Sequence, residues 1–560
     1  MAADDDETES IAPSERNVLI ERIDGWLIRF KLPPFRLLTC VLITSALSIF
    51  PAYYFSVVNI DKTEYMKFLN ATFKEHYDIT LCLHEEDSGM HKLCPAPNHG
   101  DDDDWTLPDC ACDNLGRMSP FALWWGFTVA VFNLGMLLGS VSIPPLADRL
   151  GRRNSLMFWN NCVALVASIV MSFAYVGSFK SFTMLLIGRI MAGFAAGSAY
   201  GLLPLYLTEI SPTESRGFAA STHNLMISLN TLFALCMGHR LVLGTHWLWL
   251  HLLPLPFAVL QMGLSLYYPE TPKYLLLHKH NEIASRTALT FFTPDITDQQ
   301  VVDVFTHFRS EELQAASYQT RLKDAMKERY LRKPILISCA VVIASITTGI
   351  IAIFTYSTTM FTKAGMDDEA AEIASIILSV FNCIGALIAS FLVDRIGRRV
   401  LLLVGLIGCI ICDVLFMCVD LSYDYVHTDS APTKWLAYIG VAIMVVHVTI
   451  YNVGPGAIMW FISSEMTPQA IRSIGVMITL FVNNVAQIVL NFGYPALSEI
   501  LNSWIFMFFI VPTTALTIYL YFVLPETRNR EIDEIVRQYH GAGRARHDYA
   551  ISVFTLQRRS

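Results

Sequence analysis

A chain of 560 residues that is 53% hydrophobic and only 16% charged is too apolar for an ordinary soluble protein, because globular domains average about 25% charged residues. The formal net charge of −9 comes largely from acids near the termini and in loops, and gives no sign of a nucleic-acid partner. Most of the apolar content falls in blocks of about 20 residues, long enough to cross a hydrocarbon core of about 30 Å.

Residues 1–16 are polar and acidic (Asp4, Asp5, Asp6, Glu7) and show no cleavable signal, so the first apolar run is expected to be a retained anchor. Residues 17–35 mix apolar and basic positions (Ile20, Arg22, Trp26, Arg29, Lys31), the pattern of a short interfacial helix. Segment 1–35 is therefore placed in the cytoplasm. A first span at 36–59 leads into a polar stretch, 60–118, that includes Asp101 to Asp104, Cys82, Cys94, Cys110 and Cys112, and the sequon Asn70-Ala71-Thr72. Excess acid, a glycosylation acceptor at Asn70 and an even number of cysteines argue for an extracellular loop with disulfides, whose pairing stays open.

Further spans at 119–143, 156–176, 181–205, 218–241 and 247–268 would complete a six-helix N-terminal half, 36–268. Segment 269–333 has mixed charge and helical periodicity and reads as a cytoplasmic helical linker. Six more spans at 334–361, 371–393, 400–419, 436–462, 473–498 and 502–524 build a C-terminal half, 334–524. The tail, 525–560, is rich in arginine (Arg528, Arg530, Arg544, Arg546, Arg558, Arg559), which puts both termini on the cytoplasmic side. The expected whole is an all-α, multi-pass membrane protein of twelve transmembrane helices, placed in the plasma membrane.

The two halves repeat each other. Asp148-Arg149-Leu150-Gly151-Arg152-Arg153 returns as Asp394-Arg395-Ile396-Gly397-Arg398-Arg399. Glu209-Ile210-Ser211-Pro212 followed by Arg216 returns as Glu465-Met466-Thr467-Pro468 followed by Arg472, and Pro269-Glu270-Thr271 as Pro525-Glu526-Thr527. Each arginine-rich turn is too charged for hydrocarbon, where a central Arg or Asp costs about 2.5–3.5 kcal/mol. Both turns must sit in short loops on one face, and parallel halves of this kind hold their solute near the midplane.

These residues resemble the sugar-porter branch of the major facilitator superfamily, and within it the animal facilitative glucose-transporter type, over roughly 36–535. The resemblance rests on the two Asp-Arg-x-Gly-Arg-Arg loops, PLYLTEISPTESRG at 204–217, PETPKYLL at 269–276, FTYST at 354–358, GPGAIMWF at 454–461 and PETRNREIDEI at 525–535. It implies the major facilitator fold and gating clusters at the cytoplasmic helix ends. Arg152, Arg153, Glu209 and Arg216 would form one, and Arg395, Arg399, Glu465 and Arg472 the other, bridging the halves when the inner gate is shut. Arg189, inside an otherwise apolar span, needs a partner, for which Glu209 is the expectation.

The resemblance also implies a substrate site of side-chain amides with one aromatic wall: Asn224, Asn382, Asn452, Asn483 and Ser345, with Trp460 against the solute. Ser345, Ile346 and Ile351 fall where the family carries three amides, Asn452 where it has a glutamate, and Asn484 where it has a second tryptophan. Proton-driven relatives carry a carboxylate in the first helix; Tyr54 stands at that position here. The remaining intramembrane ionisable residues are His223, Asp413 and His447. The sequence carries no metal-ligand cluster, no enzyme motif and no nucleotide-binding loop, so neither a cofactor nor a catalytic role is expected. The expected partners are a small-molecule solute and the lipid bilayer. Facilitated diffusion of a sugar-like solute is the favoured reading; an organic-ion type carrier and a transport-inactive solute sensor are the alternatives left by the thinned seventh helix.

Overall fold

The computed structural model describes residues 34–48, 53–57, 68, 81–85, 91–95, 120–174, 181–212, 216–244, 246–294, 296–317, 329–364, 366–426, 434–460, 462–467 and 472–527. Among them nine helical runs are long and apolar enough to cross a membrane. The run 474–523 spans 50 residues, roughly 75 Å at the α-helical rise. That is more than twice the hydrocarbon thickness. It breaks at a 3₁₀ stretch, Asn502–Phe506, where Asn502 takes φ 46°, and so supplies two passes. Phe35–Ser48 adds a shorter apolar helix. Helix Arg216–Gly238 is less apolar because it carries buried Thr222, His223, Ser228, Asn230 and Thr231. The described helices thus accommodate six passes in each half.

Helices run past the hydrophobic stretches read from the sequence. Pro120–Leu150 continues through Asp148 and Arg149, and Asp368–Ile396 through Arg395. Helix hydrogen bonding does not stop where hydrocarbon does, so polar ends project from the apolar slab. The loop after the first helix contains a short antiparallel hairpin, Leu81–Glu85 with His91–Pro95, the one sheet among the described residues. Its register sets Cys82 opposite Cys94, at the backbone separation of about 4.5–5.5 Å that a disulfide can span. Asn70, Cys110 and Cys112 lie outside the described residues.

Two breaks inside passes come from glycine. Gly349, with φ 79°, ends Arg329–Thr347 and starts Ile350–Lys363. Gly454 separates Lys434–Val453 from Pro455–Ile458. Gly454 lies against Gly405 of helix Arg398–Val426, where a side chain on Gly405 would meet the Pro455 ring at 2.4 Å. The linker forms helices Pro272–Leu277, Glu282–Phe292 and Asp298–Ser317. Thr271 and Asn281 cap the first two by accepting the backbone N–H groups of Tyr274 and Ala284. Leu276, Leu289, Phe305 and Phe308 close a small core of their own.

In lipid there is little hydrophobic drive between helices, so close backbone approach through small residues supplies the packing. Helix Phe182–Ile210 crosses Pro120–Leu150 at such a seam. An added Cβ on Gly193 would lie 2.0 Å from the Phe132 carbonyl, and one on Gly197 would lie 2.1 Å from that of Met136. Gly193→Val is expected to abolish the monodisperse peak of detergent-extracted protein in size-exclusion chromatography. Gly263→Val, at a position with nothing within 4 Å, is expected to leave that peak intact.

Candidate functional site

Each arginine-rich turn is built on a glycine that only glycine tolerates: Gly151 at φ 97° and Gly397 at φ 106°. After each turn, the backbone N–H groups that open the next helix point at a carboxylate from a distant segment. Glu270 accepts the N–H of Arg153 at 2.9 Å. Glu526 accepts those of Arg398 at 2.9 Å and Arg399 at 3.1 Å. A carboxylate there meets both the unsatisfied donors and the positive end of the helix.

The guanidiniums repeat the same pattern. Arg152 Nε lies 3.4 Å from Glu209 Oε2, and Arg398 Nη2 lies 3.2 Å from Glu465 Oε1. Thr271 donates to Glu209 at 2.6 Å, as Thr527 does to Glu465 at 2.7 Å. Arg153 donates to the Tyr268 carbonyl at 2.9 Å and Arg399 to the Tyr521 carbonyl at 2.6 Å. Every one of these contacts stays within its own half. Arg395 is exposed; Arg216 and Arg472 open helices Arg216–Gly238 and Arg472–Leu501, and their side chains lie outside the described residues. Sequence reading passed over Arg398, although the repeat offset, 246 residues from Arg152, points to it.

Glu209 is not the partner of Arg189. Both sit on one unbroken helix, Phe182–Ile210, and 20 residues at the α-helical rise separate them by about 30 Å. Arg189 Nε instead donates to the Thr128 carbonyl at 2.9 Å, with the guanidinium 5.8 Å from the Phe132 ring centre.

At the opposite end of the bundle, ion pairs join the two halves. Arg240, just after helix Arg216–Gly238, reaches Glu372 at 2.5 Å and Asp368 at 3.2 Å on helix Asp368–Ile396. His239 lies 3.8 Å from the same Glu372. Glu372 is only 3% exposed, and its counter-charge is the half-exposed Arg240. The sequence reading missed this tie because it joins residues 132 apart that belong to no repeated motif.

Between these ends, Trp460 from the C-terminal half meets Tyr200 and His223 from the N-terminal half. Ring centres are 5.5 Å and 5.4 Å away, and Tyr200 and His223 are themselves 5.6 Å apart, all nearly perpendicular. Such edge-to-face contacts are favourable by about 0.5–1.5 kcal/mol each. Next to His223, the Asn224 amide nitrogen is buried without a hydrogen-bond partner, as is Asn483 Oδ1. Asn483 and Trp460 line one small cavity together with Met459, Ser463 and Thr479. Asn452 donates to Asn382 and to the Val448 carbonyl. Ser345 is turned back on its own helix, donating to the Val341 carbonyl at 2.9 Å. The amides thus fall into two groups: Asn382 and Asn452 satisfy each other, while Asn224 and Asn483 keep free hydrogen-bonding capacity beside the aromatic trio. Tyr200 was missed, since one tyrosine in an apolar span carries no sequence signal of its own.

Tyr54, at the expected position of a coupling carboxylate, is bonded to Ser168 Oγ at 2.7 Å and donates to the His251 carbonyl at 2.8 Å. Two of the other intramembrane ionisable residues lie close together. His447 Nε2 lies 3.3 Å from Asp413 Oδ1, both essentially fully buried.

Residues 40–539 match the sugar (and other) transporter family. The chain is 31% identical over 430 residues to the chicken (Gallus gallus) solute carrier family 2, facilitated glucose transporter member 1, covering 76% of this chain and 84% of that protein. It is 30% identical over 425 residues to member 3 of that family from the dog (Canis lupus familiaris), covering 75% and 82%. Among solved structures, the major facilitator proton:xylose symporter XylE bound to 6-bromo-6-deoxy-D-glucose superposes with a TM-score of 0.67 at 17% identity, over 90% of this chain and 99% of that one. The inward-open xylose transporter XylE from E. coli gives 0.65 at 18%, with the same coverage. At that identity the structural likeness speaks for the fold.

Burial raises the Glu270 carboxyl above its ordinary value of 4.5; the N–H groups of Arg153 and Thr271 and the Arg153 charge offset part of that. A raised folded-state value means that Glu270 contributes stability below pH 4.5 and loses it as pH rises through the folded value. Glu270→Gln keeps an acceptor for the Arg153 N–H and cannot titrate. It is expected to flatten the fall in melting temperature as purified protein is taken upward from about pH 4.5; a wild-type slope in the variant would place the titration in another group.

Proposed function

Because the chain belongs to the sugar transporter family of the major facilitator superfamily, we propose that it moves a sugar-like small polar solute across a membrane by facilitated diffusion. The observation that carries this reading is the site between the halves, where the Trp460, Tyr200 and His223 rings stand beside amide groups of Asn224 and Asn483 that lack partners. Rings that cover an apolar face and amides that bond hydroxyls are what a sugar-like solute needs from a pocket. Asn382 and Asn452 would join the site by exchanging their mutual bond for one to the solute. Ser345 is the weakest member, since its hydroxyl is already bonded within its helix.

The solute crosses as the halves rock about this site. Gate residues Arg152, Arg153, Glu209 and Arg216 in one half, and Arg395, Arg399, Glu465 and Arg472 in the other, stiffen the helix ends and bridge the halves when the arginine-rich side closes; Arg189, about 30 Å along the helix from Glu209, is left out of that gate and ties its helix to the Thr128 carbonyl. That side is cytoplasmic, as are both termini, and the protein sits in the plasma membrane. The loop carrying Asn70, Cys82, Cys94, Cys110 and Cys112 faces outward, glycosylated and disulfide-bonded. Uniport is supported by Tyr54, whose hydroxyl is held by Ser168 and the His251 carbonyl and supplies no carboxylate. A second reading, proton-coupled transport, is favoured only by the buried Asp413–His447 pair.

Purified protein in sealed vesicles is expected to show saturable hexose uptake indifferent to an imposed pH gradient. Uptake that follows the gradient would select the proton-coupled reading, and absence of flux across hexoses, polyols and organic cations would remove the carrier reading. Trp460→Ala is expected to cut that uptake by about tenfold or more with normal surface expression, since removing one aromatic wall forfeits about 1–3 kcal/mol of contact.

The Arg240–Glu372 tie holds the outer side shut. Glu372→Gln is expected to raise the labelling rate of a cysteine placed at Ser379, a buried residue two turns further along the same helix, by impermeant reagents from the outer side. An unchanged labelling rate would make the tie a packing contact and not a latch.

A further inference from the structure

Away from the central site, helices Pro120–Leu150, Asn160–Phe173 and Phe182–Ile210 enclose a cavity of about 330 Å³. Its wall is apolar (Ile143, Leu146, Leu150, Val163, Phe194), and half-exposed Trp159 stands at its rim. No charged residue lines it. Three polar side chains do, all nearly fully buried: Ser155 at 0% exposure, whose hydroxyl donates to the Leu146 carbonyl at 3.4 Å, Asn160 at 4% and Ser198 at 1%. Neither amide atom of Asn160 finds a hydrogen-bond partner, nor does the Ser198 hydroxyl.

Local backbone explains how Asn160 comes to be there. Residues Asn154–Trp159 form a π-helical stretch, closed by the Asn160 N–H bonding to the Ser155 carbonyl. The wider turn offsets the following helix, and such bulges recur at functional sites. Asn160 lies eight residues beyond Arg152, about 12 Å from the arginine-rich turn at the helical rise.

An unpaired buried amide costs about 1–3 kcal/mol, so the cavity is built for something that bonds it. Water alone would satisfy the amide but would wet the apolar wall, at about 25 cal/mol per Å². A phospholipid headgroup would bring charge to a wall with no counter-charge. An acyl chain would fill the space and leave Asn160 and Ser198 unpaired. What remains is a neutral, rigid apolar body with one hydroxyl at its end.

We propose that this cavity is a membrane-facing sterol site, with the sterol hydroxyl between Asn160 and Ser198 and its rings against Trp159 and Phe194. The hydroxyl donates to one polar side chain and accepts from the other. Occupancy wedges the helical run that opens at Arg152 and continues through Asn160–Phe173 against helix Phe182–Ile210, which carries Glu209, and so connects membrane composition to that cluster.

The test uses the full chain in phospholipid nanodiscs with a diazirine-bearing cholesterol, and mass-spectrometric mapping of the adducts. The expected adducts lie within 143–163 and 194–198 and are competed by cholesterol. Asn160→Leu should reduce labelling by about tenfold, the loss of one hydrogen bond of about 1.4 kcal/mol. Val163→Trp should block it by filling the cavity, and Ser198→Ala provides a milder variant should Asn160→Leu fail to fold. Labelling unaffected by Val163→Trp, adducts confined to other helices, or competition by a diacylglycerol and not by cholesterol would each overturn the assignment.

Discussion

The structure depends on a carboxylate that grips the backbone across a great distance in the chain. Glu270 and Glu526 each take the N–H groups at the start of a helix that follows a left-handed glycine, and each is followed by a threonine that donates to a second glutamate, Glu209 or Glu465. That second glutamate pairs with Arg152 or Arg398. One short segment therefore fastens the turn, the adjoining helix end and the arginine into a single unit. Removing either member of the Arg152–Glu209 pair would strand a largely buried charge, the circumstance in which ion pairs matter most, about 3–5 kcal/mol for a buried pair against at most about 1 kcal/mol for an exposed one; Arg398–Glu465 is more open to solvent and falls between these limits.

This constraint makes each half a body with fixed ends, and the functional geometry follows. If the ends of a half cannot shear, motion is confined to the interface between halves. There the structure holds a seam of rings and amides at the centre and the Arg240–Glu372 tie at one end. The glycine breaks at Gly349 and Gly454 fall in the same half as Trp460, Gly349 against Phe509 and Gly454 against Gly405. Stiff ends with a yielding centre is the division of labour that a rocking carrier requires.

Polar groups inside a membrane protein separate by whether they are paired. Tyr54 with Ser168, Asn161 with Gln261, and Asn382 with Asn452 bond each other and hold helices together. Asn224 and Asn483 at the centre, and Asn160 and Ser198 beside the lipid, carry bonding capacity that the protein does not use. Because an unused buried amide is costly in an apolar surrounding, those positions are where a ligand has most to offer. The same logic underlies the proposed solute site between the halves and the proposed site for a lipid hydroxyl on the outside of one of them.

The family, the duplication, the helical passes and the membership of Arg152, Glu209 and Trp460 in special positions could be read from the sequence, because each is a local pattern: a run of apolar residues, a charge that hydrocarbon excludes, or a motif repeated at a fixed offset. Even Arg398 was within reach by that offset. Tertiary structure alone decided the partners. Arg189 and Glu209 look compatible in composition but are held about 30 Å apart by one continuous helix, while Arg240 and Glu372, unremarkable in sequence, meet at 2.5 Å. Which asparagines satisfy each other and which stay free also depended on how helices from distant parts of the chain cross. A sequence specifies the groups that must be paired or kept from lipid; only the packed helices bring particular groups within the few ångströms over which hydrogen bonds and ion pairs act.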